Sequence, residues 1–229
     1  MDSRPLAAVI MAAGQGKRMK NPDTAKVMHT LAGIPLVEHV VRLARRVGCT
    51  RVIVVVGHQR QSVIEHLATR DPSIEFAVQE EQLGTGHAVR MTESLLQDFD
   101  GDILILSGDA PMTRVNTIRE ALRRHREADA TVTVLTAILP DPHGYGRVIR
   151  GEDDGIRRIV EHKDADAEER RVREINSGIY VFRREQLFDA LARTTNDNAQ
   201  GEYYLPDVFT IFQEEGRVMV PVSYTHLRA

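Results

Sequence analysis

The chain has 229 residues, of which 42% are apolar and 28% charged, with a formal net charge of −3. That is the mix of an ordinary globular domain, and it lacks the basic run that sequence-independent binding to DNA or RNA requires, so nucleic acid is excluded as a partner. No apolar stretch approaches the ~20 residues of a membrane span, and a single cysteine, Cys49, cannot close an internal disulfide; the expectation is a cytoplasmic protein in which Cys49 is a packed side chain rather than a nucleophile.

Residues 7–11 are the first apolar run. Only Arg4 supplies positive charge ahead of it, and it passes straight into Gly14-Gln15-Gly16-Lys17-Arg18, so a buried strand entering a turn fits better than a signal-peptide core. Residues 35–47 read as a helix, with Val37, Val40, Val41 and Ala44 three and four apart and Pro35 suited to a helix start. Strands follow at 51–56, 74–78 and 102–106, with helices at 59–69 and 86–96 between them. Strand–helix–strand repetition implies a mostly parallel sheet with helices on both faces. Ligands in such sheets sit at the carboxyl ends of the strands. Further on, 131–139, 147–150 and 175–182 read as strands and 185–192 as a helix, while the charged stretch 163–173 reads as a solvated loop or short helix. No linker-like composition separates the halves, so residues 1–221 read as one α/β domain.

The turns after the strands carry the chemistry. In Ala12-Ala13-Gly14-Gln15-Gly16-Lys17-Arg18 two glycines let backbone N–H groups approach a ligand, and Arg18 and Lys26 add positive charge for a phosphate. The spacing is neither the dinucleotide G-x-G-x-x-G nor a Walker loop; a plain surface turn fits the glycine pair equally well. After the third strand comes Gln79-Glu80-Glu81-Gln82-Leu83-Gly84-Thr85-Gly86-His87. Its amide side chains can both donate and accept, as a nucleobase edge needs, and Thr85 is suited to cap a helix. The fourth strand ends in Ser107-Gly108-Asp109-Ala110-Pro111, where Asp109 fits either a Mg²⁺ ligand or a turn-forming aspartate.

Taken together these turns resemble the nucleotidyltransferases that activate sugar phosphates, and within them the bifunctional N-acetylglucosamine-1-phosphate uridyltransferase (GlmU) family. The resemblance runs from Ala8 to about Val220. It is carried also by Lys26-Val27-Met28-His29-Thr30-Leu31-Ala32-Gly33, Gly144-Tyr145-Gly146-Arg147, Glu161-His162-Lys163-Asp164-Ala165, Glu174-Ile175-Asn176-Ser177-Gly178 and Asn198-Ala199-Gln200-Gly201-Glu202-Tyr203-Tyr204. It implies a Rossmann-like nucleotidyltransferase fold and the transfer of UMP from UTP to N-acetylglucosamine 1-phosphate. UDP-N-acetylglucosamine for cell-envelope polysaccharide and pyrophosphate would be the products. By resemblance, Met11, Ala12, Ala13 and Gly14 line the UTP site and Arg18 and Lys26 serve its phosphates. Gln79 and Gly84 read the uracil edge with Gln82 and Thr85 nearby, Ser107 and Gly108 lie at the substrate, and Asp109 holds Mg²⁺. Gly146, Glu161 and Asn176 contact the sugar phosphate. The attacking phosphate is already ionised, so no general base is needed, and His29, His87, His143 and His162 read as structural. The alternatives are another sugar-1-phosphate nucleotidyltransferase and a nucleotide-sugar-binding fragment without turnover.

Three positions depart from the family pattern: Ala25 stands where proline is usual, Ser107 where a tyrosine often sits, and Pro206 where threonine is common. The family continues with a second Mg²⁺ ligand and a hexapeptide-repeat β-helix that acetylates glucosamine 1-phosphate and forms its trimer. This sequence includes neither, so a monomer without acetyltransferase activity is expected. Residues 222–229 leave the family pattern and match an in-frame translation of a common transposase-type sequencing adapter. They are expected to pack poorly, leaving the sheet edge near residues 218–220 uncovered.

Overall fold

A computed structural model describes residues 4–14, 24–152 and 154–224. The first half of the chain contains β1 (Leu6–Met11), β2 (Thr30–Leu31), β3 (Ile34–Pro35), α1 (Leu36–Val47), β4 (Arg51–Val56), α2 (Arg60–Arg70), β5 (Glu75–Val78), α3 (Thr85–Arg90) and β6 (Asp102–Ser107). Then come α4 (Val115–Glu127), β7 (Val132–Ile138), β8 (Arg147–Arg150), β9 (Ile156–Val160), α5 (Ala167–Arg171), β10 (Glu174–Arg183), α6 (Arg184–Arg193), α7 (Val208–Glu214) and β11 (Met219–Ser223).

The main sheet runs in the order β11-β7-β10-β6-β1-β4-β5. β6, β1, β4 and β5 pair in parallel, as do β11 and β7. β10 alone on this path is antiparallel to its neighbours β6 and β7. β8 joins the side of β10 and carries β9 beyond it. Parallel strands covered on both faces must be apolar throughout, which is why β1 and β4 contain runs of buried residues rather than an alternation.

The pleat divides these residues between two cores. Ala8 and Ile10 face the stripe Val37, Val40, Val41 and Ala44 of α1, with Val63 of α2 and Ile118 of α4, in an aliphatic core. Ala7 and Val9 face α3, α6 and α7, where Tyr180, Phe182, Phe209 and Phe212 pack as an aromatic cluster. Cys49 is buried in the aliphatic core. Burial pushes its thiol up to about 12 against the opposing Arg45 charge, leaving it protonated and unreactive.

A polar knot lies at the amino end of β6. Asp102 is 0% exposed; Arg126 Nε donates to its Oδ2 at 2.9 Å, Arg4 Nε lies 3.7 Å from Oδ1, and His125 Nε2 lies 3.5 Å from Oδ1. Burial acts to raise the carboxyl pKa, but the His125 contact, the Arg126 bond and the Arg4 charge together hold it below the ordinary carboxylate value.

Several elements differ from expectation. The helix expected over 86–96 stops at Arg90 and gives way to a separate 3₁₀ turn, Ser94–Leu96. Gly84, not Thr85, holds the cap position of α3; the Thr85 hydroxyl instead accepts from the Leu205 N–H at 3.0 Å. α4, β9 and α7 were not anticipated. Of the alternatives for 163–173, a short helix forms: α5, closed by a capping box between Asp166 and Glu169. The tail expectation fails for its first residues. Val222 lies within β11 and is 3% exposed, and the Tyr224 N–H donates to the Thr136 carbonyl at 2.8 Å. The packing reason is that β7 offers an unpaired edge, and β11 pairs with it in parallel from Met219 to Ser223. Residues 225–229 lie outside the described residues. No helix among the described residues is long and apolar enough to cross a membrane.

Candidate active site

The carboxyl ends of β1, β5 and β6 open into a cleft of about 690 Å³. Backbone hydrogen bonds extend the ladders past the strand ends: Ala12 N–H to Val55 O, Gln79 N–H to Val56 O, and Gly108 N–H to Met11 O. The three turns are therefore held side by side. Met11, Ala12, Ala13, Gly14, Lys26, Gln79, Gln82, Gly84, Thr85, Ser107 and Asp109 line the cleft. Gly108 does not; it is packed beneath Met11, Ala12 and Val27. Arg18 lies outside the described residues.

One end of the cleft is built to present amides. Gln79 is 3% exposed, and its Nε2 donates to the Gly84 carbonyl at 3.0 Å and lies 3.0 Å from His87 Nδ1. Gly84 adopts φ of +105°, in the region that favours glycine. A Cβ there would lie 2.5 Å from the Tyr203 carbonyl oxygen. Two backbone bonds fix this approach, Gly86 N–H to Tyr203 O and Tyr203 N–H to Leu83 O. The Gly84 carbonyl is thus engaged by Gln79, while its N–H has no protein partner among the described residues.

At the middle, Lys26 Nζ donates to Asp109 Oδ2, and the Ser107 hydroxyl donates to Oδ1 at 2.5 Å. Burial acts to raise the Asp109 pKa, but the bonds from Lys26 and Ser107 and the Lys26 charge hold it below the ordinary value. Asp109 is therefore a carboxylate at neutral pH. Ser107, where a tyrosine often stands in the family pattern, spends its hydroxyl on this carboxylate.

Beyond Met11 and Thr85 the cleft continues into a hollow of about 210 Å³, lined also by Gly146, Glu161, Asn176 and Leu205. Strand register explains the grouping. Arg147 pairs with Val160 across β8–β9 and with Ile175 across β8–β10. In antiparallel ladders the next position along therefore brings Gly146 level with Glu161 and Asn176. The Asn176 N–H donates to the Gly146 carbonyl at 2.9 Å. The Asn176 side chain is fixed in turn: Nδ2 donates to the Tyr180 hydroxyl at 2.6 Å and Oδ1 accepts from the Gly178 N–H at 3.1 Å. Burial raises the Glu161 pKa, and the charges of Asp207, Asp164 and Glu202 raise it further. Burial and Asp164 push Asp207 up to about 6. The hollow is thus rimmed by acceptors that suit sugar hydroxyls, whereas phosphate suits the Lys26 end.

Lys163, Gln200 and Glu202 also line the larger cleft, with Lys163 Nζ donating to Gln200 Oε1 at 2.6 Å. They had no assigned role in the sequence, although all three fall within its motif-like segments. Their position within three residues of Glu161 or Tyr203 is the available signal.

A sheet with one antiparallel insertion, and a bipartite cleft at its carboxyl edge, define a class. A model described as Nucleotidyl transferase matches residues 7–225, and the chain belongs to that family. Within it, the chain is 51% identical over 212 residues to the bifunctional protein GlmU of Exiguobacterium sibiricum, covering 93% of this chain and 46% of that protein. It is 52% identical over 211 residues to the bifunctional protein GlmU of Geobacter metallireducens, covering 92% and 44%. The chain spans about half the length of the curated relatives it matches. A solved UDP-glucose pyrophosphorylase complexed with UDP-glucose shares the fold, with a TM-score of 0.78 at 17% identity over 96% of this chain and 90% of that one.

Proposed function

We propose that the chain transfers UMP from UTP to N-acetylglucosamine 1-phosphate, forming UDP-N-acetylglucosamine and releasing pyrophosphate. The observation that carries this reading is the joined pair of hollows. An amide end and a cationic centre meet a hydroxyl-accepting end across Met11 and Thr85, in a chain about half of whose residues match its GlmU relatives.

In this reading an oxygen of the sugar phosphate forms a bond to the α-phosphorus of UTP. The bond from that phosphorus to the bridging oxygen breaks, and pyrophosphate leaves with the electron pair. Both partners arrive ionised, so the task of the protein is to position two anions and balance the charge that develops. Lys26 supplies positive charge at the phosphates. Gln79 and Gly84 orient the base, and Gly146, Glu161 and Asn176 hold the sugar. The donor set fits Mg²⁺: Asp109 is one hard carboxylate oxygen donor in the cleft, and Mg²⁺ takes one or two carboxylates and completes its shell with phosphate and water. When bound there, the ion would neutralise phosphate charge. No cluster of three or more His, Cys, Asp or Glu suited to a metal occurs among the described residues.

Pyrophosphate release with UTP and N-acetylglucosamine 1-phosphate, with and without Mg²⁺, tests the assignment. Formation of UDP-N-acetylglucosamine is expected. Turnover of glucose 1-phosphate with no turnover of the N-acetylated sugar would overturn it.

UTP is expected to exceed CTP in kcat/KM by at least about a hundredfold. The free Gly84 N–H can donate to the uracil O4 but faces an amino group in cytosine, and a buried polar mismatch is costly. Equal use of the two nucleotides would remove Gly84 from the base site.

A further inference from the structure

Arg147 is 1% exposed, the largest of the fully buried side chains among the described residues. Among the described residues it makes no ion pair. A buried guanidinium without a carboxylate is expensive, so what it holds is informative. Its Nη1 donates to the Tyr145 carbonyl, its Nη2 lies 3.4 Å from His162 Nδ1, and its Nε has no hydrogen-bond partner among the described residues. The His162 ring rests on His143, with centroids 4.6 Å apart. Arg150, three residues on, behaves differently: it forms a two-pronged pair with Glu174 at 2.9 and 2.6 Å, an ordinary ion pair across the sheet.

The two groups that Arg147 holds flank the sugar-side row. Tyr145 precedes Gly146, and His162 follows Glu161. The guanidinium therefore ties the β8 end of the row to the β9 end. A Cβ on Gly146 would meet Glu161 Oε1 and the Val160 carbonyl at 3.4 Å and Asn176 Cβ at 3.5 Å, ordinary contact distances, so Glu161 and Asn176 face each other across a gap about one methyl group wide. A shift of a few tenths of an ångström between the two strand ends would move the Glu161 carboxylate relative to Gly146 and Asn176.

We infer that Arg147 is a positioning residue for the sugar half of the site, fixing Glu161 against Gly146 by bridging Tyr145 and His162. The consequence for ligands rests on the proposed function; the bridge itself does not. A planar guanidinium can satisfy two acceptors at once, whereas a lysine ammonium of shorter reach cannot span both.

Arg147→Lys and Arg147→Met test this in two ways. Hydrogen exchange needs no ligand. The Asn176 amide, bonded to Gly146, should exchange at least tenfold faster in both variants, with the amides of β1 and β4 unchanged. Binding reads the consequence. The ratio of affinities for UDP-N-acetylglucosamine and UDP should fall at least tenfold, with UDP affinity held within twofold. In turnover, KM for the sugar phosphate should rise while kcat stays within threefold. Unchanged exchange at Asn176 overturns the bridge. Equal losses for UDP and the sugar nucleotide overturn the positioning role and leave only a general contribution to stability. If the parent binds UDP-glucose in place of UDP-N-acetylglucosamine, the proposed function fails on the parent alone. The same ratio read with UDP-glucose then decides the role of Arg147.

Discussion

Asp109→Asn should lower kcat/KM for pyrophosphate release by about two orders of magnitude, roughly 2.7 kcal/mol of transition-state stabilisation. The neutral amide is a poorer ligand for a hard cation, and it loses the charge that pairs with Lys26. The effect on folding should be small. The Lys26 and Asp109 side chains are 40% and 28% exposed, and ion pairs this accessible contribute about 1 kcal/mol or less. A large kinetic loss with a nearly unchanged melting temperature would therefore place the effect in the site. Because the Asp109 pKa is depressed in the folded protein, this carboxylate stays ionised through mildly acidic conditions and should not create an acid limb between pH 5 and 8. Activity within about twofold of the parent would exclude Asp109 as the metal ligand.

Asp102→Asn should do the reverse, costing stability with no direct effect on chemistry. The carboxylate is 0% exposed beside Arg126 and Arg4, themselves 27% and 17% exposed. Removing one member of a buried pair leaves charge uncompensated, at about 3–5 kcal/mol. The pH dependence has a definite sign. The folded pKa of Asp102 is lowered, so its contribution is present above the unfolded value near ~3.9. It is lost as pH falls through the lower folded value. Urea unfolding of parent and variant should differ widely at pH 7 and converge on strong acidification. A difference below about 1 kcal/mol at pH 7 would contradict the role assigned to this knot.

What could be read from the sequence was whatever depends on near neighbours. An apolar run followed by Ala12-Ala13-Gly14, or by Ser107-Gly108-Asp109 before Pro111, announces a buried strand and a tight turn within ten residues. Glu161 and Asn176 look like ordinary surface polarity taken singly, and only their resemblance to a family marked them. Lys163 reads as one charge in a charged stretch, because the cleft wall it joins comes from Gln200 and Glu202. Asp102 was legible as the first residue of a strand but not as a buried charge, since Arg4 and Arg126 reach it from either side of the chain. α4 escaped notice despite Val115, Ile118, Ala121 and Leu122 at helical spacing, its arginine-rich outer face masking the stripe. Arg147 illustrates the limit most plainly: its segment resembles a family motif, but its burial depends on His162, 15 residues on.

The backbone bonds joining Leu83 and Gly86 to Tyr203, with Thr85 to Leu205 spanning 120 residues, have a consequence for assembly. β1, α1 and β4 are neighbours along the chain and can meet early. The Gly84 end of the cleft is complete only after a very long loop has closed, and non-local contacts of this kind form slowly. During refolding, helical circular dichroism should therefore recover before the capacity to bind a fluorescent uridine nucleotide. Simultaneous recovery of the two signals would show that the Tyr203 segment docks with the first half of the sheet rather than after it. A ribosome-bound chain ending before Tyr203 would have β1, β4 and β5 available to pair and no partner for the backbone of Leu83 and Gly86.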